Sequence, residues 1–174
     1  MKQLHLAPIT AEAFAPYGRL LSVDAAGTSI DANQGSARRY DWAVDLENRR
    51  PHARLNVAVF RCAPRAFPFS VVLLERHAYS TQLFVPMAVD RYVVLVAGRG
   101  EAPDLESLQG FIVPGTCGVA YAPGTWHHPM IALPRTGTDG DSLFSASMWE
   151  DGSKDDCETV ELPEAGRRRL VEPV

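Results

Sequence analysis

Of five histidines, three (His77, His127 and His128) fall beside strand-like runs or turns. Imidazole exchanges protons near neutral pH and is the commonest nitrogen ligand for metals, so chemistry is sought first at these positions. Leu73-Leu74-Glu75-Arg76-His77 reads as a strand, whose alternation puts Glu75 and His77 on one face and Arg76 on the other. Gln82 follows five residues after His77, across a turn from Ala78 to Thr81. Farther on, Pro123-Gly124 makes a turn three residues before His127. A strand-leading histidine after such a turn suits the mouth of a barrel. Glu75, His77, Gln82 and His127 thus form a candidate set of two imidazoles and two oxygen donors, fit to move protons or to hold a divalent metal. Adjacent strand residues face opposite ways, so only one of His127 and His128 points inward unless the strand is bulged.

Such a set needs strands to hold it. Beyond Pro51, β-rich runs separated by Pro and Gly recur at intervals of about ten residues, the spacing of a sandwich or barrel. They are Leu55–Cys62, Phe69–His77, Gln82–Pro86, Arg91–Ala97, Gly110–Val113, Gly118–Ala122, His127–Leu133 and Ser142–Glu150. Thr10 reads as the N-cap of a short helix closed by Gly18, and Asp104 as the cap of a second over Leu105–Gln109. Asp24 to Asn33 reads as irregular. Eight strands with one or two short helices predict a mainly β chain folded as a closed or nearly closed antiparallel barrel, which removes exposed strand edges. One domain is expected over 1–174, with 163–174, including Arg167, Arg168 and Arg169, as a flexible solvated tail.

Composition narrows the partners. Seventeen basic against twenty-one acidic side chains give a net charge of −4 with no long basic block, which argues against nucleic acid. Cys62, Cys117 and Cys157 form no C-x-x-C pair, so neither a disulfide framework nor a zinc ribbon is expected. No secretory pattern opens the chain and no apolar run approaches the ~20 residues that span a bilayer, so a cytoplasmic location without membrane contact is expected.

Quieter readings stand beside these. Glu75 and His77 could pair as a satisfied polar contact, and Tyr121 and Trp126 could pack in the core instead of lining a pocket. Asn33-Gln34-Gly35 has the composition of an ordinary turn. Cys117 has no evident base near it in sequence.

At Glu75, His77, Gln82 and Pro123-Gly124-Thr-Trp-His127 the chain resembles the cupin superfamily, with its His-x-His and later Glu, then Pro-x-Gly-x-x-His. In that register Glu75 replaces the first His and Gln82 the Glu, and His127 is the inward histidine. The implied fold is a jelly-roll type barrel. A more specific resemblance, from about Leu4 to Glu161, is to the ureidoglycolate lyases. It is carried by Asn33-Gln34-Gly35 with Arg39-Tyr40, Phe60-Arg61, Leu74-Glu75-Arg76-His77 with Gln82, Phe111, Tyr121 and Trp126-His127-His128-Pro129. That resemblance implies cleavage of ureidoglycolate to glyoxylate and urea in allantoin breakdown, by a homodimer that is sometimes nickel-dependent. Asn33, Arg39, Tyr40, Tyr121 and Trp126 become substrate-binding candidates, with the Arg39 guanidinium for the substrate carboxylate. The chain departs from the family at Glu150-Asp151-Gly152-Ser153, where members read Asp-Arg-Gly-Gly. Competing readings are a non-catalytic metabolite-binding cupin, a ureido-hydrolase releasing ammonia, and a metal-dependent oxygenase; the last is disfavoured because the sequence fixes no two-histidine, one-carboxylate register.

Overall fold

Burial patterns show which runs are strands and how many layers they need. Along Ser142–Glu150 the even positions Ser142, Phe144, Ala146 and Met148 are buried and the odd ones less so, the period of a strand with one face on a core. Arg91–Gly98 is buried without a break from Tyr92 to Ala97 and must lie between two layers. The structure, a computed structural model, describes residues 2–171 and supplies both.

A five-stranded antiparallel sheet runs in the order Gly18–Leu21, Gly118–Tyr121, Gln82–Ala88, Ser142–Glu150, Arg54–Cys62. Against it lies a seven-stranded sheet ordered Glu158–Glu161, Leu73–Arg76, Trp126–His127, Arg91–Gly98, Asp104–Pro114, Leu6–Pro8, with Ile131–Ala132 also paired to Arg91–Gly98. The inner core between them takes Tyr92, Val94 and Val96 from one sheet and Phe84, Val119, Phe144 and Ala146 from the other. Val93, Leu95 and Ala97 alternate to the outer face and join Leu74, Trp126, Leu133 and Leu170 in a second core. A three-stranded sheet, Lys2–Leu4, Arg168–Leu170, Phe69–Val71, contributes to that outer core. Each fully buried Val, Leu or Phe is worth about 1.5–3 kcal/mol of transfer energy, so both layers matter to stability. The chain is mainly β and cupin-like, as expected. Ala11–Phe14 is its one α-helix among the described residues, with Thr10 Oγ accepting from Ala13 N at 3.2 Å. Among the described residues no helix is long and apolar enough to cross a membrane.

Four expectations are corrected. Asp24 to Asn33, expected to be irregular, contains the strand Ser29–Ala32, paired antiparallel with Ala37–Tyr40. The helix expected over Leu105–Gln109 is part of the strand Asp104–Pro114. Asp104 does accept from Glu106 N as a cap would, at 3.0 Å, but pairing with Arg91–Gly98 overrides the local signal. Phe69–His77 and His127–Leu133 are each two short strands. The break at Val72 sends Phe69–Val71 and Leu73–Arg76 to different sheets. Pro129, which has no N–H to donate, lies between Trp126–His127 and Ile131–Ala132. Lastly, residues 168–170 are no solvated tail. They form the central strand of the three-stranded sheet, with Leu170 fully buried and the Arg168 guanidinium donating to Gly166 O at 2.7 Å. Residues 172–174 of that expected tail lie outside the described residues.

Candidate active site

Strand pairing brings the distant histidine segments together. His127 is the cross-strand partner of Glu75, and alternation turns both toward the inner core while Leu74 and Trp126 go to the outer one. His77 stands one residue past the strand end, where its carbonyl accepts from Gly124 N at 2.9 Å. Gly124 has φ 82, the left-handed conformation that favours glycine, so the Pro123-Gly124 turn fixes His127 relative to His77. The His77 and His127 rings lie 5.8 Å apart and nearly parallel, and Tyr121 stacks on His127 at 4.1 Å. Donor atoms of Glu75, His77 and His127 all lie within 4.8 Å of one another. This supplies the two-histidine, one-carboxylate register that the sequence alone does not fix.

The hydrogen bonds settle which ring nitrogens face the site. His77 Nδ1 lies 2.7 Å from Asp156 O and His127 Nδ1 lies 2.9 Å from Thr125 O. Carbonyls only accept, so each Nδ1 carries the proton, and in a neutral ring each Nε2 is a bare acceptor. Both Nε2 atoms are buried with no hydrogen-bond partner among the described residues, as is Gln82 Oε1. His127 Nε2 nevertheless faces Glu75 Oε1 at 3.4 Å. Two acceptors so placed repel unless a proton or a cation lies between them. The site is therefore built to hold positive charge, and its donor set fits a divalent metal.

Every sequence candidate has a definite place. Gln82 pairs across strands with Tyr121, and its Nε2 lies 3.7 Å from Met148 Sδ. Tyr121 is a wall of the site through its stack on His127. Trp126 is not: its indole N–H donates to Gly100 O at 3.1 Å in the outer layer, under the Arg76 guanidinium. Arg76 itself pairs with Glu158 at 2.7 Å, away from His77 as alternation predicts. His128 meets the Phe69 ring edge-on, on the far side from the site. Asn33 opens the tight turn of the hairpin Ser29–Ala32/Ala37–Tyr40, which also carries Arg39 and Tyr40. Arg39 forks onto Asp41 with two 2.8 Å hydrogen bonds, and no contact among the described residues ties these three to the triad.

Residues 1–167 match the family model described as ureidoglycolate lyase. The chain belongs to the ureidoglycolate lyase family. It is 39% identical over 133 residues to a ureidoglycolate lyase from Burkholderia mallei (strain NCTC 10229), covering 76% of this chain and 77% of that one. It is 32% identical over 135 residues to one from Pseudomonas syringae pv. syringae (strain B728a), covering 78% and 79%. The figure is 34% over 133 residues for one from Azotobacter vinelandii (strain DJ / ATCC BAA-1303), covering 76% and 80%.

In this member of the ureidoglycolate lyase family, two contributors escape sequence reasoning. The carbonyls of Asp156 and Thr125 orient the imidazoles, and a backbone carbonyl carries no residue signature. Cys157, the later cysteine that the family resemblance includes after Glu150-Asp151-Gly152-Ser153, places Sγ 3.9 Å from Glu75 Oε2 on the exposed side of the triad, ahead of Glu158–Glu161, the strand beside Glu75.

Burial gives the site a pH signature. Burial, then the neighbouring His127, pushes His77 below the usual imidazole value, and burial does the same to His128. Burial alone would raise the Glu75 carboxyl, but His127, His77 and His128 together hold it below its usual range. In each case the unfolded chain binds protons at a higher pH than the folded one. Stability is therefore lost as pH falls, first below about 6.5 as the histidines charge and again below about 4.3 as Glu75 protonates. Thermal unfolding followed from pH 7.5 to 4 should show Tm declining from about pH 6.5; a Tm flat to pH 5 contradicts this reading.

Proposed function

We propose that the chain is a ureidoglycolate lyase that splits ureidoglycolate into glyoxylate and urea in allantoin breakdown. The observation that carries the reading is the pair of buried, unpartnered Nε2 atoms, that of His127 facing Glu75 and that of His77 in the same cluster, inside a chain of this family. Ureidoglycolate bears a hydroxyl and a ureido nitrogen on one carbon. Losing the hydroxyl proton turns that C–O bond into the aldehyde carbonyl as the C–N bond breaks, and the departing nitrogen regains a proton to leave as urea. His77 Nε2 is the base for the hydroxyl proton, and the proton shared by His127 and Glu75 goes to the nitrogen. Gln82 Oε1 accepts from the ureido N–H groups. Tyr121 keeps its phenol proton, since burial, then Glu75, pushes its pKa far up, and serves as an apolar wall.

Glu75, His77 and His127, completed by Gln82, would also hold a divalent metal, nickel being the one the resemblance implies; it would supply Lewis acidity toward the substrate's hydroxyl and carboxylate oxygens. Elemental analysis of protein purified without added metal decides which duty the imidazoles perform. Arg39 takes the substrate carboxylate in this reading, exchanging its Asp41 fork for the same bidentate pair with substrate. Arg39→Ala then raises KM about tenfold with kcat little changed; an unchanged KM removes Arg39.

Turnover tests the whole proposal. Purified protein given ureidoglycolate should release urea and glyoxylate in equal amounts. Ammonia in place of urea would make it a ureido-hydrolase, and thermal stabilisation by ligand without any product would make it a binding module. A homodimer accompanies the reading and is supported by the unpaired edge strand Arg54–Cys62, where Leu55, Val57 and Val59 are exposed. A solution mass of twice 19.1 kDa is expected, and a monomer refutes it. A cytosolic location belongs to the same reading.

A further inference from the structure

His77 owes its orientation to a carbonyl on an otherwise exposed loop. Asp156 O meets His77 Nδ1 at 2.7 Å, yet Gly152 to Asp155, just before it, are exposed. Something must hold that loop still, or the imidazole loses its only hydrogen-bond partner among the described residues. One guanidinium does so. Arg50 pairs with Asp151 Oδ1 at 2.9 Å and with the Asp156 carboxylate, and donates to Ser153 Oγ at 3.2 Å and Trp149 O at 3.5 Å. The Asp156 carboxylate also accepts from Asp151 N at 3.1 Å and Gly152 N at 2.7 Å, so the loop closes on itself around one charge pair. Both side chains of that pair are largely withdrawn from solvent, at 15% and 13% exposure, where a charge-assisted bond weakens little with salt.

The same guanidinium also reaches the segment that leaves His77. It lies over the Tyr79 ring, two residues beyond His77, at 5.4 Å. Arg49 N donates to Tyr79 O at 2.9 Å, and Asn48 bridges to Ser80. Arg50 thus clamps the segment leaving His77 on one side and the loop that reaches His77 Nδ1 on the other.

We propose that Arg50 is a positioning residue that fixes the tautomer of His77: by holding Asp156 O against Nδ1 it keeps the proton there and leaves Nε2 bare toward Glu75 and His127. Among the described residues Arg50 makes no hydrogen bond or ion pair with Glu75, His77 or His127; it acts through Asp156. The inference rests on the lyase reading for its kinetic consequence and on the hydrogen bonds alone for the tautomer.

The test uses the intact protein with ¹⁵N-labelled histidine. In the wild type the His77 ring signals report Nδ1–H. In Arg50→Met they shift toward a mixture in which Nε2–H is a major form, and kcat for ureidoglycolate falls about 10- to 100-fold while KM changes less than about twofold, the range typical of lost support behind a functional histidine. Arg50→Lys, which keeps the charge but not the fork, recovers part of both. A folded Arg50→Met with an unchanged tautomer and kcat overturns the proposal. If that variant fails to fold, Asp151→Asn, which weakens one arm of the clamp, decides: a smaller shift of the same sign supports the proposal, and none overturns it. Should the wild type release no urea, the lyase reading fails while the tautomer measurement still judges Arg50.

Discussion

Replacing His77 by alanine should leave a folded protein whose kcat/KM for ureidoglycolate is lower by about 10²- to 10⁴-fold, the usual loss when a positioned acid or base is removed. The fold should survive because His77 lies beyond the end of Leu73–Arg76 and belongs to neither apolar core. Its one side-chain hydrogen bond among the described residues, to Asp156 O, is worth about 1 kcal/mol. The same cannot be said of its chemistry, for the bare Nε2 has no substitute within the triad. His127 Nε2 is already committed to Glu75 at 3.4 Å, and Gln82 offers an amide oxygen too weakly basic to take a hydroxyl proton. His77→Gln is the sharper comparison, since it retains a donor for Asp156 O and some volume but no base; it should be as inactive as His77→Ala. Full activity in either folded variant would remove His77 from the mechanism, whatever becomes of His127.

The triad was legible because it depends on two short-range regularities. Period-two alternation put Glu75 and His77 on one side and Arg76 on the other, and Arg76 is indeed turned away to Glu158. The choice of His127 over His128 needed the cupin register; in the structure His127 is the cross-strand partner of Glu75. Applied to Trp126, the same alternation rule sends the indole into the outer core, and only the family resemblance makes it a pocket candidate. What stayed hidden was set by partners distant in sequence. Asp104 offers a helix cap locally, but its strand pairs with Arg91–Gly98. Arg50, in a stretch with no motif, meets Asp156 only after the loop closes.

A second large effect is expected far from the chemistry, at the strand that reads as a tail. Leu170 is fully buried in the outer core beside Val71, Leu74 and Leu133. Its strand pairs in parallel with Lys2–Leu4 and antiparallel with Phe69–Val71, so the surrounding backbone is held from both sides and cannot collapse into a void. Leu170→Ala should therefore cost about 2–5 kcal/mol, a fall in Tm of roughly 5–15 °C for a chain of this size. Arg169, exposed on the same strand, is its control and should shift stability by no more than about 0.5 kcal/mol when replaced by alanine. A solvated tail predicts no difference between the two substitutions, so a Leu170→Ala Tm equal to that of Arg169→Ala would return residues 168–170 to that description. Well below its Tm, Leu170→Ala should keep the wild-type kcat and KM. Leu74 and Trp126 share the outer core with Leu170, but Glu75 and His127 turn from the same strands to the opposite face. A loss of kcat in the fully folded variant would mean that the outer layer sets the geometry of the triad.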